Sequence, residues 1–127
     1  MDKTHIKSFT ELIAWQESHK LVLEIYKICK TFPSEERFGL ASQIQRAAVS
    51  ITSNIAEGFS RKSPKEKVNF YYIALGSLTE VLNQLIIAKD LSYINIVVFN
   101  KLSENTTNSQ KLINGLIKSA RTLKLHT

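Results

Sequence analysis

The residues able to do chemistry are few, and their spacing narrows what they can do. The histidines are His5, His19 and His126, and the only thiol is Cys29. A di-metal site in a helical protein needs Glu-x-x-His motifs on facing helices. No histidine here follows a glutamate at that spacing. Glu57 and Glu80 stand in small or apolar surroundings, Asn54-Ile55-Ala56-Glu57-Gly58 and Gly76-Ser77-Leu78-Thr79-Glu80. Two carboxylates without imidazoles are a poor donor set for a transition metal. Cys29 and His19 lie ten residues apart, ~15 Å along one helix, too far for proton transfer. There is no Gly-rich phosphate loop, Ser-His-Asp arrangement or deaminase-type zinc motif. The expectation is a protein without catalytic, cofactor-binding or metal-binding residues, and so not an enzyme. What remains is positive charge. Arg61, Lys62, Lys65 and Lys67 cluster in one loop, and Lys118, Arg121 and Lys124 in a tail that holds no acid. With a formal net charge of +6, these clusters are the expected contacts to the phosphates of RNA or DNA.

The elements that must carry those clusters follow from periodicity. A chain of 127 residues, 43% hydrophobic and 22% charged, suits one globular domain. Four Gly and two Pro leave little turn material, so the elements should be few and long. Helices are expected over about 10–32, 38–58, 64–91 and 96–124, after a mobile basic arm over 1–9. In the first, Leu12, Trp15, His19, Val22, Tyr26 and Cys29 recur at steps of three and four. Leu21, Ile25, Ile28 and Phe32 widen that stripe. Thr10 is its expected N-cap, Pro33 its stop, and Gly58 a left-handed C-cap for the second helix. Ser63-Pro64-Lys65-Glu66 reads as a capping box with Pro at the first helical position. Asn95 should cap the fourth helix. Its middle, Glu104 to Gln110, is polar and poor in helix formers, which predicts a locally weak helix or a break. Four such helices with short connections make an all-α, antiparallel up-down-up-down four-helix bundle.

The stretch from Gln43 to Phe59 organises that bundle. Ile44, Ala47, Ala48, Ile51 and Ile55 form an apolar stripe. Gln43, Arg46, Ser50, Asn54 and Glu57 form a second one, small and polar. With Ser77 and Glu80 these residues are the expected structural polar core, in which a buried Glu57–Glu80 pair fixes helix register. Gly76 in mid-helix costs ~1 kcal/mol relative to Ala, which a close approach of another helix would offset. The wide stripes on helices one and three predict a homo-oligomer. No apolar run approaches the ~20 residues of a membrane span, so no membrane partner is expected. MDKTHIKSF has no apolar signal core, and the lone Cys29 suits a reducing cytoplasm.

The motifs also resemble a known family. Phe38-Gly39-Leu40 with Gln43-Ile44, then Arg46-Ala47-Ala48-Val49-Ser50-Ile51, Ser53-Asn54-Ile55-Ala56-Glu57-Gly58 and Ala74-Leu75-Gly76-Ser77 with Glu80 form a series. It is similar to the bacterial four helix bundle protein family, which includes proteins encoded in intervening sequences of large-subunit rRNA genes. It also resembles the accessory variability protein of diversity-generating retroelements. The resemblance implies an antiparallel bundle assembled into a ring, typically a pentamer. For the retroelement relative it implies a basic surface that contacts a reverse transcriptase and nucleic acid. A protein-interaction module without a nucleic-acid role, for example a reverse-transcriptase partner, is the alternative reading.

Overall fold

The computed structural model of the chain describes residues 6–126. Four helices follow in order: α1 (Ile13–Cys29), α2 (Leu40–Ser60), α3 (Pro64–Asp90) and α4 (Ile96–His126). Short 3-10 turns, Phe9–Glu11 and Ser34–Glu36, precede α1 and α2. Among the described residues there is no strand. Side-chain pairs fix the directions. Asn108 Nδ2 donates to Glu17 Oε1 at 3.4 Å, and Lys101 lies 3.9 Å from Glu24. The higher number in α4 therefore meets the lower number in α1, and the two run antiparallel. Ser50 against Ser77 and Phe59 against Lys67 do the same for α2 and α3, and Lys89 over the Phe99 ring at 4.6 Å with Arg121 against Tyr72 for α3 and α4. The result is the expected up-down-up-down bundle, with its most extensive seams on either side of α3.

The core is aliphatic and small. Leu21, Ile25, Ile44, Ala48, Ile51, Ile55, Ala74, Val81, Leu85 and Ile113 have no exposed surface. The α2 stripe from Ile44 to Ile55 is buried as its spacing predicts. Of the stripe expected in the first helix, Leu12, Leu21, Val22, Ile25, Ile28 and Phe32 are buried, but its other members lie one position off the inward face. Ala14, Ser18, Leu21, Val22, Ile25 and Ile28 face inward, while Trp15 and His19 sit at the edge and Tyr26 is exposed. Trp15 instead receives the edge of Phe9, with ring centroids 5.4 Å apart, and stacks on His19 at 4.6 Å. His19 is thus an aromatic neighbour and Cys29 a half-buried thiol, its pKa pushed up by burial.

Several expected ends move. The arm was expected to run free to residue 9. Residues 1–5 lie outside the described residues, but the chain is already held from Lys7 onward. The Lys7 amide donates to Glu11 Oε2 at 3.0 Å, Ser8 Oγ accepts from the Thr10 amide, and Phe9 packs on the core. Thr10 therefore sits inside the 3-10 turn, and Leu12 takes the N-cap position of α1 without a side-chain cap. Ser63 Oγ accepts from the Glu66 amide at 3.4 Å, and Asn95 Oδ1 from the Val98 amide at 2.8 Å, so α3 and α4 start where predicted. α4 is continuous through its polar middle. Thr106 and Ser109 are buried there, because small side chains let α4 lie close against the bundle.

Gly58 is not a left-handed cap. The helix runs on to Ser60, and among the described residues no glycine has a positive φ. Its hydrogen faces a neighbour instead. A Cβ at position 58 would stand 2.6 Å from Tyr71 Cε1, 2.8 Å from Tyr71 Cδ1 and 3.2 Å from Phe70 Cβ. Tyr71 is itself buried deeply enough that its phenol pKa is pushed up to about 12. Gly76 is the opposite case, since nothing lies within 4 Å of where its Cβ would be. No helix of the same chain offsets its cost. The outward face of α3 that carries it is unusually apolar. An 18-residue window of α3 reaches a mean hydropathy of 1.2, which by length and composition is enough to cross a membrane. The cause is apolar residues on both faces. One face packs on α2 and α4, and the other exposes Ile73, Ile86 and Ile87.

The two glycines should therefore respond oppositely to alanine. Gly58→Ala gains ~1 kcal/mol of helix propensity but overpacks against a ring that cannot swing away, at ~1–3 kcal/mol. Its urea midpoint should fall. Gly76→Ala gains the propensity with no clash inside the chain, and the midpoint should rise when measured at concentrations that keep the protein monomeric. Equal shifts would mean that Gly58 is not a packing glycine.

Candidate nucleic-acid interface at one end of the bundle

The predicted basic residues come from segments about fifty positions apart, and the fold brings them to one end. α2 ends at Ser60 and α3 starts at Pro64, so the loop carrying Arg61 and Lys62 is only three residues long. The antiparallel course of α4 returns its last turns to the start of α3. There Arg121 donates to the Tyr72 hydroxyl and lies over its ring, 5.6 Å from the centroid. Lys65 and Arg121 line one depression of about 120 Å³ with Pro64, Val68 and Asn69. Lys67 and Lys118 border a neighbouring groove of about 620 Å³ between Phe59, Tyr71 and Leu116.

These cations are not equivalent. Lys62, Lys65 and Lys118 are exposed and form no ion pair among the described residues. Arg61 is exposed but tethered. It pairs with Glu57 at 3.1 Å, one helical turn earlier, and its guanidinium lies 4.8 Å from the Phe70 centroid. Lys67 is turned inward. Its ammonium donates to the carbonyl of Phe59 at 2.7 Å, an orphan acceptor at the end of α2, and to that of Gly58 at 3.4 Å, which also accepts from the Arg61 amide at 3.3 Å. Burial lowers its pKa, and the carbonyls supply the partners that a half-buried ammonium needs. Lys67 is thus a helix cap before it is a surface charge. Lys124 lies on α4, with its side chain outside the described residues.

The expected polar core is only partly inside. Ser50 Oγ and Ser77 Oγ are 2.7 Å apart, and Asn54 Nδ2 donates to the Ser50 carbonyl at 2.8 Å and to Ser50 Oγ at 3.1 Å. These three join α2 to α3 across a half-buried seam. Gln43, Arg46, Glu57 and Glu80 are exposed instead. The polar stripe of α2 runs beside its apolar stripe, and only its middle passes close to α3. There is no buried Glu57–Glu80 pair: Glu57 turns to Arg61. Arg46 and Glu80 border one surface hollow of about 330 Å³ with Phe38 and Gln43 but form no ion pair. Among the described residues no group of three metal-ligating side chains occurs.

Two polar features escaped the sequence reading. Glu36 Oε1 accepts from the Leu40 amide at 3.1 Å and its Oε2 from the Tyr93 hydroxyl at 2.8 Å. These bonds hold the Glu36 carboxyl below its usual pKa, the Leu40 amide most of all. Glu36 thereby caps α2 at the end away from the basic cluster. Acid residues just ahead of a helix are the signal that could have found it. Ser18 and Ser109 are fully buried on α1 and α4, and their hydroxyls have no partner among the described residues. Ala14, Ser18 and Leu21 share the steps of four and three that would have shown the first.

Comparison with known proteins places this geometry. The profile of a family described as "23S rRNA-intervening sequence protein" matches residues 10–115. That span includes the basic loop and stops before Lys118. A solved structure of a protein with unknown function from the S23 ribosomal protein family of Bacteroides thetaiotaomicron superposes with a TM-score of 0.77. It is 24% identical, and the match covers 84% of this chain and 99% of that one. At that identity the likeness speaks for the fold alone. No curated protein matches the chain.

The unequal cations make a stability prediction. Lys67→Ala leaves the Phe59 carbonyl at the end of α2 without its donor and should lower stability by roughly 1 kcal/mol. Lys62→Ala touches nothing and should stay within ~0.5 kcal/mol of wild type. Urea denaturation followed by circular dichroism measures both, and equal effects would refute the capping role of Lys67.

Proposed function

The chain belongs to the 23S rRNA-intervening sequence protein family, and from that premise we propose a non-catalytic, homo-oligomeric bundle that binds RNA or DNA at its basic end. The observation that carries this reading is the convergence just described. Lys62, Lys65 and Lys118 reach solvent without an ion pair among the described residues, with Arg61 and Arg121 beside them. Lys124 continues the same tail. Lysines on flexible stems act as point charges toward phosphate and carry little sequence information. Binding is therefore weakly sequence-specific and strongly salt-dependent. The lone thiol, Cys29, suits work in the cytoplasm.

A distinct surface supports the assembly, a ring-shaped pentamer by the family resemblance. Ile73, Gly76, Glu80, Asn83 and Ile87 follow one another at steps of three and four along α3, all exposed and without a lysine or arginine. A solvent-facing helix normally carries mixed charges there. Val49 of α2 extends the apolar surface. An open face with space at Gly76 fits a second copy lying close. In a ring, each basic end is repeated about the axis and the fields add. The alternative, a scaffold for a protein such as a reverse transcriptase, draws on the same exposed apolar face.

Two experiments test these readings. Reversing Lys62, Lys65 and Lys118 to Glu should weaken binding of a labelled oligonucleotide and lower the slope of log affinity against log salt by about 2–3. An unchanged affinity and slope would refute the basic end as the working surface and favour the scaffold. Ile73→Asp should keep the helical signal while light scattering shows the mass falling to that of a monomer. A wild type that is already monomeric at every concentration would remove the assembly.

A further inference from the structure

Along one edge of α3, Lys65, Asn69 and Tyr72 follow at steps of four and three, all exposed. α4 closes that edge from the side with Arg121. The arrangement brings four different functions to one small depression and its rim. Lys65 supplies a cation, and Asn69 an amide that makes no hydrogen bond among the described residues. Pro64 and Val68 give an apolar floor to a hollow of about 120 Å³. Tyr72 keeps 47% of its surface exposed, although Arg121 lies over the ring and donates to its hydroxyl. The guanidinium is thereby held as a flat surface next to an aromatic one.

The other aromatic–arginine pair at this end is built differently. Phe70 is half-buried and its arginine, Arg61, is held by Glu57. That pair has the character of packing. Arg121 of the Tyr72–Arg121 pair lines an open hollow, with the Tyr72 ring beside it and, among the described residues, an unpaired cation at Lys65 and an unpaired amide at Asn69.

We infer that this depression seats one unpaired nucleobase. The Arg121 guanidinium lines the seat, the exposed Tyr72 ring beside it extends the stacking surface, Asn69 faces the base edge, and Lys65 meets the adjoining phosphate. The inference rests on the nucleic-acid reading above and narrows it to single strands. In a duplex the base faces are already stacked on their neighbours and only edges and phosphates are presented. A single strand offers the face itself, and stacking on an aromatic is tolerant of which base arrives.

The test uses the full-length protein with a mixed-sequence single strand and the matching duplex, followed by fluorescence anisotropy at two salt concentrations. Wild type should bind the single strand about tenfold more tightly, and Tyr72→Leu should erase that margin while leaving duplex affinity and the salt slope as they were. Equal wild-type affinity for both strands, or an equal loss on both in Tyr72→Leu, would overturn the base seat and leave the phosphate-binding reading standing. No binding to either would overturn both. A 5-iodouracil-substituted single strand, irradiated on wild-type protein, gives a readout independent of whether the variant folds. The crosslink should map to Tyr72, and a crosslink confined to other residues would contradict the inference.

Discussion

The close approach of α3 to α2 is the constraint on which the rest depends. It is made by a missing side chain at Gly58, filled by the Tyr71 ring, and by small hydroxyls at Ser50 and Ser77 that meet in the gap. Both contacts are short-range and shape-dependent, so they fix rotation and height of α3 as well as its distance. Once α3 is set, the three-residue loop before it has little freedom, and its charges are presented at a fixed end. α4 follows because α3 is its main partner. The seam in the middle of the bundle thereby determines which lysines stand together at its tip.

The electrostatics of the two ends are arranged around the helix termini. The end of α2 presents carbonyls that attract Lys67, and the last turns of α4 tolerate Lys118 and Arg121 for the same reason. Lys67, Lys118 and Arg121 are therefore favoured by helix C-termini before any ligand arrives, whereas Lys62 and Lys65 stand at the start of α3 and gain nothing from its dipole. At the other end Glu36 performs the matching task for the amides of α2. The exposed lysines at the basic end are what remains after these structural needs are met.

Much of this was legible in the sequence, and the failures share a cause. The helices, the Ser63 and Asn95 caps and the buried stripe of α2 are local, and local spacing revealed them. Gly58 was misread because a glycine before a polar loop has the composition of a C-cap. Its actual neighbour, Tyr71, is distant in sequence. Ile55 to Phe59 is a step of four that carries the helix past Gly58, and the signal was there. Ending the helix too early also hid the Glu57–Arg61 pair, a helical step of four that needs the extra turn. The Glu57–Glu80 pairing failed because spacing shows which residues share a stripe but not whether that stripe faces inward. Which lysines are free was likewise beyond reach, since Lys62 and Lys67 look alike until the carbonyls above Lys67 are in place.

The central claim is that the end built from residues 61–69 and 116–122 is the working surface. The most direct measurement is a map of backbone amide chemical shifts in labelled protein as a single-stranded oligonucleotide is added. The account predicts that the shifts concentrate at Arg61, Lys62, Lys65, Asn69, Tyr72 and Lys118, with residues around Glu36 and Asp90 unmoved. Shifts centred on the far end, or on the outward face of α3 alone, would contradict it.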